Sequence, residues 1–166
     1  MILGMTTSTF TLLHVLISLA GIGSGFIVVY GLLTGKRLDG WTAIFLATTV
    51  LTSLTGFLFP VEHLLPSHVV GGISLVVLAV AILARYLLHL NHAWRSVYVV
   101  CAVVALYLNS FVAVVQSFLK VPALKALAPT QKEPPFVIAQ LMVMAIFIVL
   151  GILGVKKFHV ENAATA

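Results

Sequence analysis

The sequence predicts an all-α fold, an integral membrane bundle of five transmembrane helices. Of its 166 residues, 61% are hydrophobic and only 8% are charged, and the mean hydropathy is +1.20. A soluble domain carries about a quarter charged residues, so this composition is typical of a membrane protein. Five apolar stretches are each long enough to cross about 30 Å of hydrocarbon at about 1.5 Å per residue. They are residues 10–33, 41–59, 67–90, 96–119 and 135–155.

Residues that commonly begin or end helices bound these stretches. The first stretch is followed by segment 35–40, which starts and finishes with glycine, and the second ends before Pro60. Ser67 suits the N-cap of the third helix, and Pro135 suits the first turn of the fifth. Residues 1–9 hold no Lys or Arg and so lack the basic region of a cleavable signal peptide. We therefore expect the first helix to be retained.

The distribution of basic residues predicts the orientation of the bundle. Six basic residues fall on one side of the predicted spans and three on the other. The first group is Lys36, Arg37, Arg85, Arg95, Lys156 and Lys157, and the second is Lys120, Lys125 and Lys132. Because cytoplasmic loops carry the excess of Lys and Arg, the N-terminus is expected outside and the C-terminus in the cytoplasm. We expect one transmembrane domain over residues 1–158 and a short cytoplasmic tail over 159–166.

Composition and motifs argue against several functional classes. The net charge of +5 does not indicate nucleic-acid binding here, because the basic residues lie at the ends of the predicted spans. The single cysteine excludes an internal disulfide framework and a cysteine-rich metal site. The chain has no G-x-S-x-G motif, no P-loop and no dinucleotide-binding fingerprint. These absences favour a binding or transport protein over an enzyme.

Polar residues inside the predicted spans mark a candidate ligand pocket. Lipid penalises such side chains, so we expect them to face the interior of the bundle. Several lie at a similar depth, about 5 to 8 Å below the outer boundary, whereas residues that only join helices would scatter in depth. The predicted pocket, which opens near the outer face, is lined by His14, Thr55, His68, Asn109, Gln116 and Gln140. Any one of these residues, considered alone, could instead serve only to form a hydrogen bond between two helices.

Three kinds of occupant suit this pocket. A metal ion would use His14, Glu62, His63 and His68, which are suitable ligand types although their spacing matches no zinc signature. One b-type haem, or a quinone hydrogen-bonded by His14 and an amide, is the second. A small polar ligand, an ion or a proton is the third, with His14 able to couple binding to pH. We favour the third, in a transport or membrane-complex accessory, and keep the redox reading as the alternative.

Partners other than the bilayer are predicted on the cytoplasmic side and within the membrane. Arg85, His89 and His92 share one helical face, because they are spaced i, i+4 and i+7, and Arg95 lies beside that face. This predicted patch for anionic lipid headgroups consists of Arg85, His89, His92 and Arg95. Five spans without an internal repeat are few for alternating access, so transport would require an oligomer or a partner subunit.

Segments 59–68 and 105–116, together with the Glu-Pro-Pro-Phe sequence at 133–136, resemble stretches of small uncharacterised bacterial inner-membrane proteins. The likeness extends over most of the chain. It implies a multi-pass protein of the bacterial plasma membrane. It implies no activity, cofactor or site residue.

Overall fold

The computed structural model describes residues 2, 4–59 and 66–159, and 83% of this part of the chain is helical, with no strands. There are six α-helices in the described residues, and a π-helical turn, Leu83–Leu87, continues the third of them. They are α1 (Thr7–Leu33), α2 (Asp39–Gly56), α3 (Pro66–Ile82), α4 (Ala93–Lys120), α5 (Pro122–Leu127) and α6 (Pro134–Lys157). The all-α class is therefore confirmed.

Four of the helices found among the described residues are long and apolar enough to cross a membrane. They are α1, the third helix with its π turn, α4 and α6. The remaining long helix, α2, has 18 residues, of which six are Thr or Ser, so its apolar content is lower. The chain thus has the helices of a multi-pass membrane protein, and four of the five predicted spans coincide with helices long and apolar enough to cross a membrane.

Helix α4 is the centre of the bundle, because it contacts α1, α3, α5 and α6. Small residues of α4 and of the third helix with its π turn belong to one buried core cluster, each at most 1% exposed. These residues are Ala81, Ala84, Ala102 and Ala105. Small side chains let two helix backbones approach closely, which is how helices commonly pack in membranes.

Glycines allow α1 to pack closely against its neighbours. A Cβ atom on Gly25 would lie 2.5 Å from Leu106 Cδ1 of α4 and 2.9 Å from Phe45 Cε2 of α2. Both of those side chains are fully buried. The G-x-x-x-G spacing of Gly21 and Gly25 predicts that another helix can approach closely here, and both α2 and α4 do so at Gly25.

Helix α6 lies on the outside of the bundle and contacts α4 and α1. Only Phe147 and Gly154 are buried along its 24 residues. Its many exposed Ile, Leu, Val and Met side chains suit contact with lipid rather than water.

Candidate functional site

The imidazole of His14 is hydrogen-bonded across the interface between α1 and α2. Its Nδ1 lies 2.8 Å from Oγ1 of Thr55. The Thr55 hydroxyl already donates its single proton to the carbonyl of Leu51, at 2.7 Å. Thr55 therefore accepts a hydrogen bond from the Nδ1–H group of His14, which assigns the neutral imidazole to the Nδ1–H tautomer. Nε2 then carries the lone pair.

The Nε2 side of His14 makes no hydrogen bond with any described residue. The ring is half-buried and meets the Phe59 ring edge-on, with centroids 5.2 Å apart and an interplanar angle of 87°. One nitrogen of the imidazole is thus fixed by the protein. The other is left to accept a hydrogen bond or a proton.

Asn109 lies one turn further along the bundle and ties α4 to α1. Its Oδ1 accepts a hydrogen bond from Ser18 Oγ at 2.9 Å, and its Nδ2 lies 3.5 Å from the Ser18 carbonyl oxygen. The Asn109 side chain is buried, so this pairing satisfies an amide that would otherwise be costly in the membrane. We call His14, Ser18, Thr55 and Asn109 the His14 cluster.

Further polar side chains lie beyond the His14 cluster, around Gly21 of α1. A Cβ atom there would lie 3.2 Å from Asn109 Nδ2 and 3.2 Å from the hydroxyl oxygens of Thr48 and Thr49. Thr48 donates to the Ile44 carbonyl, whereas the buried Thr49 hydroxyl has no hydrogen-bond partner among the described residues. Beyond this point Gly25, Phe45 and Leu106 close the interface with apolar contacts.

The predicted pocket residues are only partly brought together. His14 and Thr55 bond directly, whereas Asn109 bonds Ser18, which lies one turn from His14 along α1. Gln140 of α6 instead donates to the Phe111 carbonyl of α4 at 3.3 Å, and its buried Oε1 has no partner in the described residues. Gln116 is half-buried and forms no hydrogen bond within the described part of the chain.

His68 lies in the first turn of α3 and packs beside the aromatic ring of Phe57, the residue that follows α2. Its ring centroid lies 5.5 Å from that of Phe57, at an interplanar angle of 54°. His68 also makes a further interaction, so it is not a free ligand group. Its membership of the predicted pocket remains a prediction.

The metal, haem and quinone readings also remain predictions. Of the four predicted metal ligands, Glu62 and His63 lie outside the described residues. Within residues 2, 4–59 and 66–159, no three His, Cys, Asp or Glu side chains group closely enough to hold a metal ion.

The structure corrects the predicted position of Arg85. The sequence suggested a side chain near the membrane surface, in a patch for lipid headgroups. Arg85 is instead only 2% exposed and forms an ion pair with Asp39, the first residue of α2. Burial is possible because the carboxylate and the rings of Tyr86 and Tyr98 surround the guanidinium, at 5.7 and 5.1 Å from Cζ to the ring centroids.

Two other members of that patch, His89 and His92, are exposed in the turn between the π turn and α4. Arg95 is half-buried and donates to the backbone carbonyl of Phe158. Lipid contact by these three residues remains a prediction. The predicted tail begins at His159, and its residues 160–166 lie outside the described part.

Sequence reasoning left two contributors to these polar groups out of the predicted site. Ser18 shares a helical face with His14, at a spacing of four residues, and that spacing was the signal for its role. Asp39 is the carboxylate nearest a span on the basic side of the bundle, and that position was the signal for a partner of Arg85.

Comparison with known protein families, with curated proteins and with solved structures finds no match to this chain. The side chains described above are therefore the basis for a functional assignment.

Proposed function

We propose that this protein is a five-span membrane protein that binds a proton or a small polar ligand at the His14 cluster. Its role would be that of an accessory to transport or to a membrane complex. The observation that carries the proposal is the His14 imidazole, whose Nδ1 is held by Thr55 while Nε2 has no partner among the described residues. A residue that served only to join helices would not need a titratable ring held in one tautomer.

The polar groups around His14 favour a proton or a neutral ligand over a metal dication. The cluster offers hydroxyl groups and one amide, and none of its four members is a carboxylate. A lone-pair nitrogen at Nε2 accepts a proton, or a hydrogen bond from an O–H or N–H group of a ligand. An intramembrane histidine titrates within the physiological range more readily than any other neutral side chain.

The proposal includes α2 as the fifth span. At about 1.5 Å per residue its 18 residues extend about 27 Å, close to the thickness of the hydrocarbon layer. Its hydroxyl groups are largely satisfied within the helix, since Thr42, Thr48, Thr52, Ser53 and Thr55 all donate to backbone carbonyls. Such bonding lowers the cost of these residues in lipid.

In this proposal the protein lies in a bacterial inner membrane. The excess of basic residues on one side places the N-terminus outside and the C-terminus in the cytoplasm. The His14 cluster then lies near the outer face. The sequence shows no internal repeat, so we propose that any transport depends on a second copy or on a partner subunit.

The proposal is tested by nitrogen NMR of the full chain labelled with ¹⁵N-histidine in lipid nanodiscs. Comparison with a His14→Gln variant assigns the His14 resonances among those of the six histidines. We expect Nδ1 to be protonated throughout and Nε2 to gain a proton on acidification. The exposed His92 provides a matched control, because a His92→Gln variant should leave the His14 titration unchanged.

Two results would contradict the proposal. One is a His14 ring whose nitrogen shifts stay constant over the whole pH range. The other is a ring already present as a mixture of tautomers, since Thr55 would then not be fixing it.

A further inference from the structure

We infer that an anionic phospholipid binds the protein at one defined place, with an acyl chain in a groove between α4 and α6 and its phosphate beside Lys156. This site is separate from the His14 cluster, and the inference does not depend on the proposed role of His14. The groove has a volume of about 450 Å³. This volume is within the range of ligand-binding pockets.

The groove is an apolar gap between two neighbouring helices, and all the residues that line it belong to α4 and α6. They are apolar apart from the hydroxyl of Tyr107, and they include Val100, Val104 and Leu108 of α4 and Phe147, Gly151 and Ile152 of α6. The absence of a side chain at Gly151 helps to leave this space open. Because a membrane interior holds no water, an apolar chain is the occupant that suits such a groove.

The length of the groove fits one acyl chain and not a partner helix. Along α4 it extends from Val100 to Leu108, about 12 Å at a rise of about 1.5 Å per residue. One leaflet provides about 15 Å of hydrocarbon, whereas a helix of a second copy would cross both leaflets. Beyond Leu108 the rings of Tyr107 and Phe111 pack together, and Gln140 of α6 donates to the Phe111 carbonyl. These contacts join the two helices at the end of the groove.

The opposite end of the groove, at Ile152, leads to positive charge. Lys156 follows Ile152 by four residues, so it lies one turn further along the same face of α6. Its side chain is exposed and forms no ion pair within the described part of the chain. Arg95 of α4 adds a second positive charge here, because its guanidinium donates to the carbonyl of Val155 at 3.4 Å.

The two described carboxylates do not offset this charge. Asp39 is paired with Arg37 and Arg85, and Glu133 lies at the opposite end of α6. A lysine at the level of the headgroups attracts anionic lipid, and each such lysine contributes about a fivefold preference. An apolar groove about as long as one leaflet, with a cation beyond its end, therefore fits an anionic phospholipid.

The test is photolabelling of the full chain in phosphatidylcholine nanodiscs that contain a small fraction of phosphatidylglycerol with a diazirine in its acyl chain. Peptide mapping after illumination locates the labelled residues. We expect labels on both sides of the groove, within residues 100–108 and 144–152. Unlabelled phosphatidylglycerol should compete about five times more effectively than phosphatidylcholine.

Three results would overturn the inference. The first is labelling spread evenly over the exposed faces of α1, α3 and α6, which would indicate ordinary surrounding lipid. The second is equal competition by the two lipids. The third is a groove that loses its labels when two copies of the protein share a nanodisc, because a second copy would then cover it.

Lys156→Gln is the informative charge variant, because it removes the cation at the end of the groove and should abolish the preference for phosphatidylglycerol. Lys157→Gln is the matched control. Lys157 is equally exposed, but its backbone carbonyl oxygen faces the loop after α1, 3.7 Å from the position of a Cβ atom on Gly35. That variant should keep the preference. An equal loss in both variants would indicate general attraction to a basic surface and would contradict a defined site.

Gly151→Leu tests the groove itself, because the new side chain would occupy the space of the acyl chain. It should lose most of the labels on α4 and α6, whereas Gly72→Leu should keep them, since no atom lies within 4 Å of the Gly72 Cβ position. Labels that persist in Gly151→Leu would exclude the groove as the binding place. If this variant does not fold, the exposed lysine variants still decide the question. His14→Gln should label as the wild type does, so the outcome is independent of the proposed function.

Discussion

Asp39 and Arg85 form an ion pair that joins the start of α2 to the end of the third helix, 46 residues apart in sequence. The two partners differ in environment, since the guanidinium is 2% exposed whereas the carboxylate is 67% exposed. The buried charge of Arg85 therefore depends on the ion pair for its stabilisation, whereas the charge of Asp39 is also stabilised by water. Asp39 also occupies the first turn of α2, where a negative charge is favourable.

Asp39→Asn is expected to destabilise the protein, because it leaves the buried guanidinium without its counter-charge. The loss should be about 1 to 3 kcal/mol, less than for a fully buried pair since water still reaches the carboxylate. The matched control is Arg37→Gln, which removes the other cation bound to Asp39. Arg37 is 47% exposed, so the control should cost less than about 1 kcal/mol. Equal losses in unfolding measurements in detergent would argue against a special role for the buried charge.

Gly25→Ala is expected to destabilise the packing of α1 against α2 and α4. The new methyl group would lie 2.5 Å from Leu106 Cδ1 and 2.9 Å from Phe45 Cε2, and both neighbours are fully buried. Overpacking of this kind costs about 1 to 3 kcal/mol. Gly23→Ala is the control in the same helix, because no atom lies within 4 Å of its Cβ position. It should leave the melting temperature unchanged or raise it, whereas a similar loss in both variants would point to backbone effects instead.

The parts of the fold that were predictable are those that depend on hydrophobicity and helix ends. Long apolar runs predicted α1, α3, α4 and α6, since lipid requires about 20 apolar residues for each span. The close approach at Gly25 followed from the absence of a side chain. Neither inference requires knowledge of which helices are neighbours.

The pairing of polar groups was less predictable, because it depends on how the helices rotate and pack. Sequence depth alone grouped His14, Thr55 and Asn109 with Gln140, yet Gln140 bonds a carbonyl of α4 instead. Arg85 was assigned to the surface because lipid usually excludes a charge from the interior. Only the folded bundle shows that Asp39 and two tyrosine rings are placed to receive it.

Cysteine labelling should establish the orientation of the bundle. In a Cys101→Ala background, Lys125→Cys is expected to react with an impermeant maleimide added to intact cells, and Gly40→Cys to be protected. Both positions are exposed, and the Cβ position of Gly40 has no atom within 4 Å. Permeabilised cells provide the control for reactivity. The opposite labelling pattern would place the His14 cluster near the cytoplasmic face.

Glu133 is expected to make the turn before α6 sensitive to acid. Its slight loss of hydration would raise its pKa, but hydrogen bonds from the Thr130 hydroxyl and from the backbone N–H groups of Thr130 and Lys132 outweigh this and lower the pKa of the carboxyl. A group whose pKa is lower in the folded state stabilises it above the unfolded pKa, and the contribution is lost as the pH falls through the folded value.

The measurement is amide hydrogen exchange at Thr130 and Lys132. Relative to the intrinsic rate, protection should be present at neutral pH and should fall at pH values below the ordinary carboxyl pKa of 4.5. In Glu133→Gln the protection should be weak at every pH, because the neutral amide is a poorer acceptor. Protection that is independent of pH in the wild-type protein would rule out the carboxylate as its source.

Thr55→Val is expected to release the imidazole of His14 without changing the shape of the residue much. Valine cannot accept the hydrogen bond, so the Nδ1–H group loses its partner across the interface. The stability should fall by about 1 kcal/mol, and the Nδ1–H and Nε2–H tautomers should both become populated in the ¹⁵N spectrum. Thr52→Val is the matched control, because Thr52 lies in the same helix and bonds only to its own backbone. That variant should leave the His14 spectrum as in the wild type. If Thr55→Val lowered the stability but left one tautomer in place, Thr55 would be a packing contact, and the fixed lone pair at Nε2 would need another cause.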